Sequence, residues 1–283
     1  MPPVPNASGK TPKLKAPPGA VDTHMHIYHH SYPTAPTAVV KPTDAVVPDY
    51  LAMRKRIGVD RTVVVQASAY GLDNSCTLDA MKEIGPSARG IAVCNDKVTD
   101  AELERLHRAG IRGLRFFMLQ GGAVGWDILE TMSARIAPLG WHIILQLDGR
   151  NYPDHEAMIA RLPSPIVFDH TGKFLEPVGL DHPGFQALSR LLKNDKRYLK
   201  LAAPYETSKS GPPFYADVGK LAKALVPSIP DRVIWASNWP HPSSGFVGPD
   251  DADMLDLLLD WVPDETTRRK VLVDNPARLY DYK

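Results

Sequence analysis

The chain has 283 residues, 43% of them hydrophobic, with 33 Lys and Arg set against 32 Asp and Glu. That length suits one α/β barrel with a large core, and the near-even charge excludes a global field that would gather a polyanion or an anionic membrane, so nucleic acid and membrane are not expected partners and any anion recognition is local. Two cysteines, Cys76 and Cys94, make neither a disulfide framework nor a CxxC motif, and no run reaches the ~18 apolar residues of a membrane span, so a soluble, cytoplasmic protein is expected.

Residues 1–18 are rich in proline and lysine and lack an apolar segment. They read as a tail that lies over the fold or stays disordered, because such a composition buries little. Residues 19–283 read as one (β/α)8 TIM barrel. Short apolar, β-rich runs predict strands at residues 21–27, 61–68, 88–94, 111–118, 142–148, 165–170, 198–204 and 232–238. Helical periodicity falls between them, as at residues 49–57, 77–84, 99–109, 126–138 and 185–193. Strand starts separated by about 20 to 40 residues match βα repeats, and unbroken apolar runs such as residues 62–65 suit strands covered on both faces. An open doubly wound sheet is the competing architecture; it would call for a glycine-rich phosphate loop after the first strand, and none follows.

Polar residues finish nearly every predicted strand. They are His24 and His26, Gln66 and Ser68, Asn95 and Asp96, Arg115, Gln146 and Asp148, Asp169 and His170, Lys200 and Tyr205, and Asn238 and His241. In a barrel these ends converge on one face, where the βα loops build the active site. The two-residue period of a strand aims His24 and His26 to the same side. Such a pair is equally compatible with mutual hydrogen bonding and with ligand or catalytic work, and His170 at the end of another apolar strand favours the second reading. His29, His30, His107, His155 and His182 fall in loops or helical segments and read as surface residues, whereas His142 begins a strand and belongs to the opposite, structural face.

Three segments, Val21-Asp22-Thr23-His24-Met25-His26, Asp169-His170 and Trp235-Ala236-Ser237-Asn238-Trp239-Pro240-His241, together resemble the amidohydrolase superfamily, in its lactone-acting branch. The resemblance runs from Pro17 to Asn275-Pro276 and includes Val65 to Ser68, Asp73-Asn74, Arg115 and Trp141. The segments Leu119 to Val124, Gly172-Lys173-Phe174 and Tyr205 to Ser208 are similar to lactone-isomerising members, whereas the intact His24-x-His26 pair is similar to the hydrolysing ones.

The resemblance implies several expectations. Metal-dependent members hold their ion with the HxH pair, a Lys or Glu on strand four, histidines on strands five and six, and an Asp on strand eight. Arg115, Gln146 and Asn238 stand at three of those places, so no cofactor is expected, with zinc on His24, His26 and His170 as the alternative. In the lactonases the carboxylate ending strand eight is the general base for water, a task an amide cannot perform. The implied reaction is therefore conversion of a carboxylated sugar 1,5-lactone, of the D-galactaro-1,5-lactone type, to the 1,4-lactone by attack of its own hydroxyl. His24, His26, His170 and Asn238 are the expected catalytic residues. Arg115, helped by Lys173 or Lys200, is expected to bind the free carboxylate, with Ser68, Asn74, Gln146, Asp148, Tyr205 and His241 around the substrate. The alternatives are a lactone hydrolase acting on 2-pyrone-4,6-dicarboxylate or a muconolactone, and a non-catalytic dicarboxylate-binding barrel. A homo-oligomer is compatible with the sequence but not demanded by it.

Overall fold

A computed structural model describes residues 9–39, 43–242 and 248–283. Eight strands, β1 Val21–Met25, β2 Arg61–Val65, β3 Ala88–Ala92, β4 Ile111–Phe117, β5 His142–Gln146, β6 Ile166–Phe168, β7 Arg197–Leu201 and β8 Val233–Trp235, form one sheet in sequence order. Every neighbouring pair from β1 to β8 is parallel. The ring closes where Asn238 N donates to His24 O at 2.9 Å and His26 N to Trp239 O at 2.8 Å. The helices α1 Val47–Ile57, α2 Ser75–Ile84, α3 Asp100–Arg108, α4 Leu129–Ile136, α5 Tyr152–Arg161, α6 Pro183–Leu191, α7 Ala216–Leu225 and α8 Asp251–Trp261 connect and follow the strands. This is the (β/α)8 barrel expected from the spacing.

Local signals place the helix ends. Thr99 caps α3 by accepting from Glu102 N at 3.2 Å, and Gly58, at φ 76°, ends α1 in a left-handed conformation that costs glycine little. The strands are shorter than the sequence predicts because their polar tips leave the ladder and turn into the loops. Several of those tips, His26, Ser68, Asp148, His170 and Asn238, are expected site residues.

Strand alternation divides the core in two. Leu114, Phe116, Ile143, Leu145, Phe168, Leu199 and Leu201 point outward against the helices, while Val21, Val63, Val65, Ile91, Ile144, Val167, Tyr198 and Ile234 fill the interior. His142 lies at the start of β5 with its ring 4.8 Å from that of Tyr280, the structural face assigned to it from sequence. Of the expected tail, residues 1–8 lie outside the described residues. Lys10 to Leu14 rest on α8, where Asp250, Asp253 and Asp256 receive Lys10 N, Lys10 Nζ and Leu14 N at 2.6–2.8 Å. Among the described residues no helix is long and apolar enough to cross a membrane.

Candidate active site

A cavity of about 130 Å³ opens among the C-terminal strand ends, lined by His26, Tyr28, Ser68, Arg115, Gln146, His170, Lys173, Glu206 and Asn238 together with apolar residues. Strain concentrates beside it. Of eight non-glycine residues with positive φ among those described, six (His170, Thr171, Lys173, Ala203, Asn238 and His241) lie in the first six residues after β6, β7 or β8. Such conformations cost on the order of 1–3 kcal/mol each and persist where surrounding contacts over-determine them.

The histidines of β1 reach the interior through an irregularity. Asp22 pairs with Thr62 and Met25 with Val64, so β1 holds one residue more than β2 over that stretch. The extra residue exchanges the faces: Val21 is interior and Met25 exterior, which turns His24 and His26 inward. Asp22 fixes the distortion. Its carboxylate accepts from Ser237 N at 3.0 Å, Ser237 Oγ at 2.6 Å, Tyr50 Oη at 3.0 Å and His24 N at 3.3 Å, tying β1 to the loop after β8.

A directed hydrogen-bond chain runs through these rings. His26 Nδ1 lies 2.8 Å from Val65 O, which can only accept, so this nitrogen carries the proton. His26 Nε2 is 3.2 Å from His24 Nε2, and His24 Nδ1 is 3.1 Å from Lys200 Nζ, which can only donate. The chain is complete with Lys200 donating to His24, His24 to His26 and His26 to Val65. Lys200 Nζ also lies 3.3 Å from Asp169 Oδ1, with both side chains fully buried.

Protonation follows burial. Burial, with the Arg115 charge adding to it, pulls His26 down to about 3, and burial also holds His24 and His170 well below the ordinary imidazole range. Burial would raise the Asp169 carboxyl, but His170, Lys200 and His24 outweigh it and hold the group well below the usual carboxylate range. With both imidazoles neutral, the Lys200 ammonium is the lasting charge opposite it. The three histidines are therefore neutral near pH 7, and kcat/KM is expected to show no inflection between about pH 5.5 and 7.5, where an ordinary histidine titrates. An inflection near 6.5 in initial rates would overturn this assignment. The same depression has a stability consequence. The unfolded chain binds more protons than the native one, so stability falls as pH drops below about 6.5.

A second polar group joins β7 to β8. Asn238 Nδ2 donates to Tyr205 Oη at 2.8 Å and to Glu206 Oε1 at 3.2 Å. Tyr205 Oη is 3.0 Å from His241 Nδ1, and His241 Nε2 is 3.0 Å from Asp251 Oδ1. Lys173 Nζ is paired directly with Glu206 Oε2. Burial pulls Lys173 down to about 8; Asp169 opposes the fall and Arg115 adds to it.

Several expected residues take other places. Asn74 clamps Val93 by accepting from its N–H and donating to its carbonyl, both at 2.9 Å, and does not line the cavity. Asp148 pairs with Arg150 at 2.5 Å, so it is neither a partner for Arg115 nor a wall of the cavity. Lys200 lies beneath the histidines, where Asp169 and His24 hold it, and does not line the cavity. Lys173 lines the cavity and is paired there with Glu206. Arg115 itself donates to Gln66 O at 3.0 Å and Gln146 Oε1 at 3.2 Å, and it lines the cavity. Tyr205 and His241 stand behind Asn238 rather than on the cavity wall. Tyr28, Glu206 and the supporting Asp22 and Asp251 were not among the expected site residues; the signal for Glu206 was an acid directly after the strand-end Tyr205.

A divalent ion would need the donors that these contacts use. The ligand atoms of His24, Asp169 and His170 come within 4.8 Å of one another, so Asp169 rather than His26 completes the geometric trio. The Lys200 ammonium already touches two of its members, and the facing nitrogens of His24 and His26 share a proton. Lys200 and Arg115 thus stand as two cationic groups beside a trio that could hold an ion by geometry alone.

A (β/α)8 barrel that gathers histidines from β1 and β6, an arginine from β4 and an amide from β8 around one cavity has the layout of a barrel enzyme. Residues 21–282 match the amidohydrolase family profile, and the chain belongs to that family. It is 35% identical to the D-galactarolactone isomerase of Agrobacterium fabrum, over 96% of this chain and 94% of that protein. It is also 35% identical to a 2-pyrone-4,6-dicarboxylate hydrolase of Comamonas testosteroni, over 97% of this chain and 94% of that one. A crystal structure of an apo protein from Agrobacterium tumefaciens superposes with a TM-score of 0.92 at 34% identity, covering 98% of this chain and 99% of the other.

Proposed function

We propose that the protein converts a carboxylated sugar 1,5-lactone, of the D-galactaro-1,5-lactone type, into the 1,4-lactone by intramolecular acyl transfer and without a metal. The observation that carries this reading is Asn238. It lines the cavity from the tip of β8, and an amide has no site basic enough to activate water. Water then has no base at the strand-eight position, and a substrate hydroxyl held next to the carbonyl wins by proximity, an effect that reaches about 7–11 kcal/mol in well-oriented systems.

Charge supports one free carboxylate on the substrate. Among the described residues around the cavity, Arg115, Lys173 and Lys200 face Asp169 and Glu206, which leaves one formal positive charge around neutral histidines. Arg115 is the cation that remains for the substrate, and a guanidinium offers a carboxylate two parallel hydrogen bonds. His170 is placed to donate to the lactone carbonyl, because the His24–His26 chain directs its protons to Val65. Ser68 and Gln146 meet the ring hydroxyls. A similar identity to an isomerase and to a hydrolase leaves the choice of reaction to the strand-eight amide, which favours isomerisation.

The test is to incubate chelator-treated protein with freshly generated D-galactaro-1,5-lactone and follow it by proton NMR. Early appearance of the 1,4-lactone at an undiminished rate is expected. Open acid formed directly would make the protein a hydrolase, activity lost with the chelator and restored by zinc would overturn the metal-free reading, and an unchanged substrate would overturn the substrate assignment.

A further inference from the structure

We propose that Glu206 is the proton acceptor for the substrate hydroxyl that attacks the lactone carbonyl, a role that rests on the isomerase reading. Internal attack must strip a proton from the nucleophilic oxygen and return one to the departing ring oxygen. Asn238 can do neither, and the HxH chain ends on Val65 O, away from the substrate. Glu206 closes the 3₁₀ turn Pro204–Glu206 after β7. Among the described residues that line the cavity it is the one carboxylate. Its Oε1 accepts from Asn238 Nδ2 at 3.2 Å, its Oε2 meets Lys173 Nζ and lies 3.9 Å from His170 Nε2. The carboxylate thus stands one side chain away from the place where a strand-eight base would sit, with the candidate carbonyl donor His170 on its other side.

The step balances without a co-reactant. The hydroxyl O–H bond breaks toward Glu206 as its oxygen bonds to the lactone carbonyl carbon. The tetrahedral adduct then expels the ring oxygen, which takes the proton back from the Glu206 carboxylic acid. Lys173 pairs with the carboxylate and Asn238 orients it.

The experiment compares wild type, Glu206→Gln and Glu206→Gly on the 1,5-lactone by NMR, with and without added formate. Glu206→Gln is expected to lower kcat by about 10²- to 10⁴-fold, the usual contribution of a general base, while KM moves far less. Formate is expected to restore part of the rate to Glu206→Gly, which a purely structural role would not permit. A Glu206→Gln protein within about threefold of wild-type kcat, or a loss confined to KM with no rescue, overturns the assignment. If Glu206→Gln does not fold, Glu206→Asp decides the matter: a kcat drop of tenfold or more at similar KM supports the role, and full kcat overturns it. Wild-type protein that releases open acid directly overturns the isomerase reading and this role with it, whereas an active isomerase indifferent to Glu206 overturns the role alone.

Discussion

On the proposed isomerase reading, replacing Asn238 by aspartate is expected to divert turnover toward hydrolysis. The new carboxylate supplies a base at the tip of β8, and positioned general bases contribute about 10²- to 10⁴-fold. A gain of about 10²-fold in open-acid formation is therefore the expected size, at the low end for a physical reason. The Asn238 amide nitrogen lies 3.2 Å from Glu206 Oε1, so the substitution exchanges a hydrogen bond for two facing carboxylates. Like charges at that distance drive one carboxyl's pKa upward. Hydrolysis by the variant should then rise with pH as the second carboxyl ionises, while isomerisation falls because the donor that orients Glu206 is gone. The ratio of open acid to 1,4-lactone, followed by NMR from pH 5 to 9, measures this. A folded variant with the wild-type product ratio at every pH would remove Asn238 as the determinant of reaction type.

The second large effect is expected at Arg115. Substitution by methionine leaves the substrate carboxylate without a partner, and truncating one member of a buried charged pair typically costs about 2–5 kcal/mol. That corresponds to a fall in kcat/KM of roughly 30- to 5,000-fold, carried mainly by KM. Lysine should recover only part of it, because a point charge cannot reproduce the two parallel bonds of a guanidinium. Arg115 also donates to Gln66 O and Gln146 Oε1, so the variant will lose some thermal stability. The two contributions separate on a lactone that lacks the free carboxylate, where wild type and variant should act at similar slow rates. If the variant loses as much on that neutral lactone as on the charged one, Arg115 holds the site together rather than the substrate.

The sequence by itself determined the barrel and the face on which its chemistry sits. Eight apolar runs separated by helical segments leave few other ways to bury both faces of each strand, and polar residues at the strand ends identify the open side. It also determined the two facts that most constrain the reaction, an amide at position 238 and a guanidinium at position 115, because these are matters of chemical type. Tertiary structure decided which of the polar residues share a cavity. Asn74, Asp148 and Lys200 have the right residue types at or after the strand ends, yet the first, at the start of α2, clamps a neighbouring backbone, the second is taken by Arg150, and the third is buried below the histidines. Partner choice depends on distances across strands and on which side chains compete for a given donor, and neither is written in the local pattern. The extra residue in β1 is the clearest case. Alternation from Val21 would send His24 and His26 outward, and it is the pairing of Met25 with Val64, held by Asp22 through Ser237 and Tyr50, that turns them into the cavity. Glu206 was hidden for the same reason. It becomes a candidate base only once β7 and β8 pair and the loops after them bring it against Asn238.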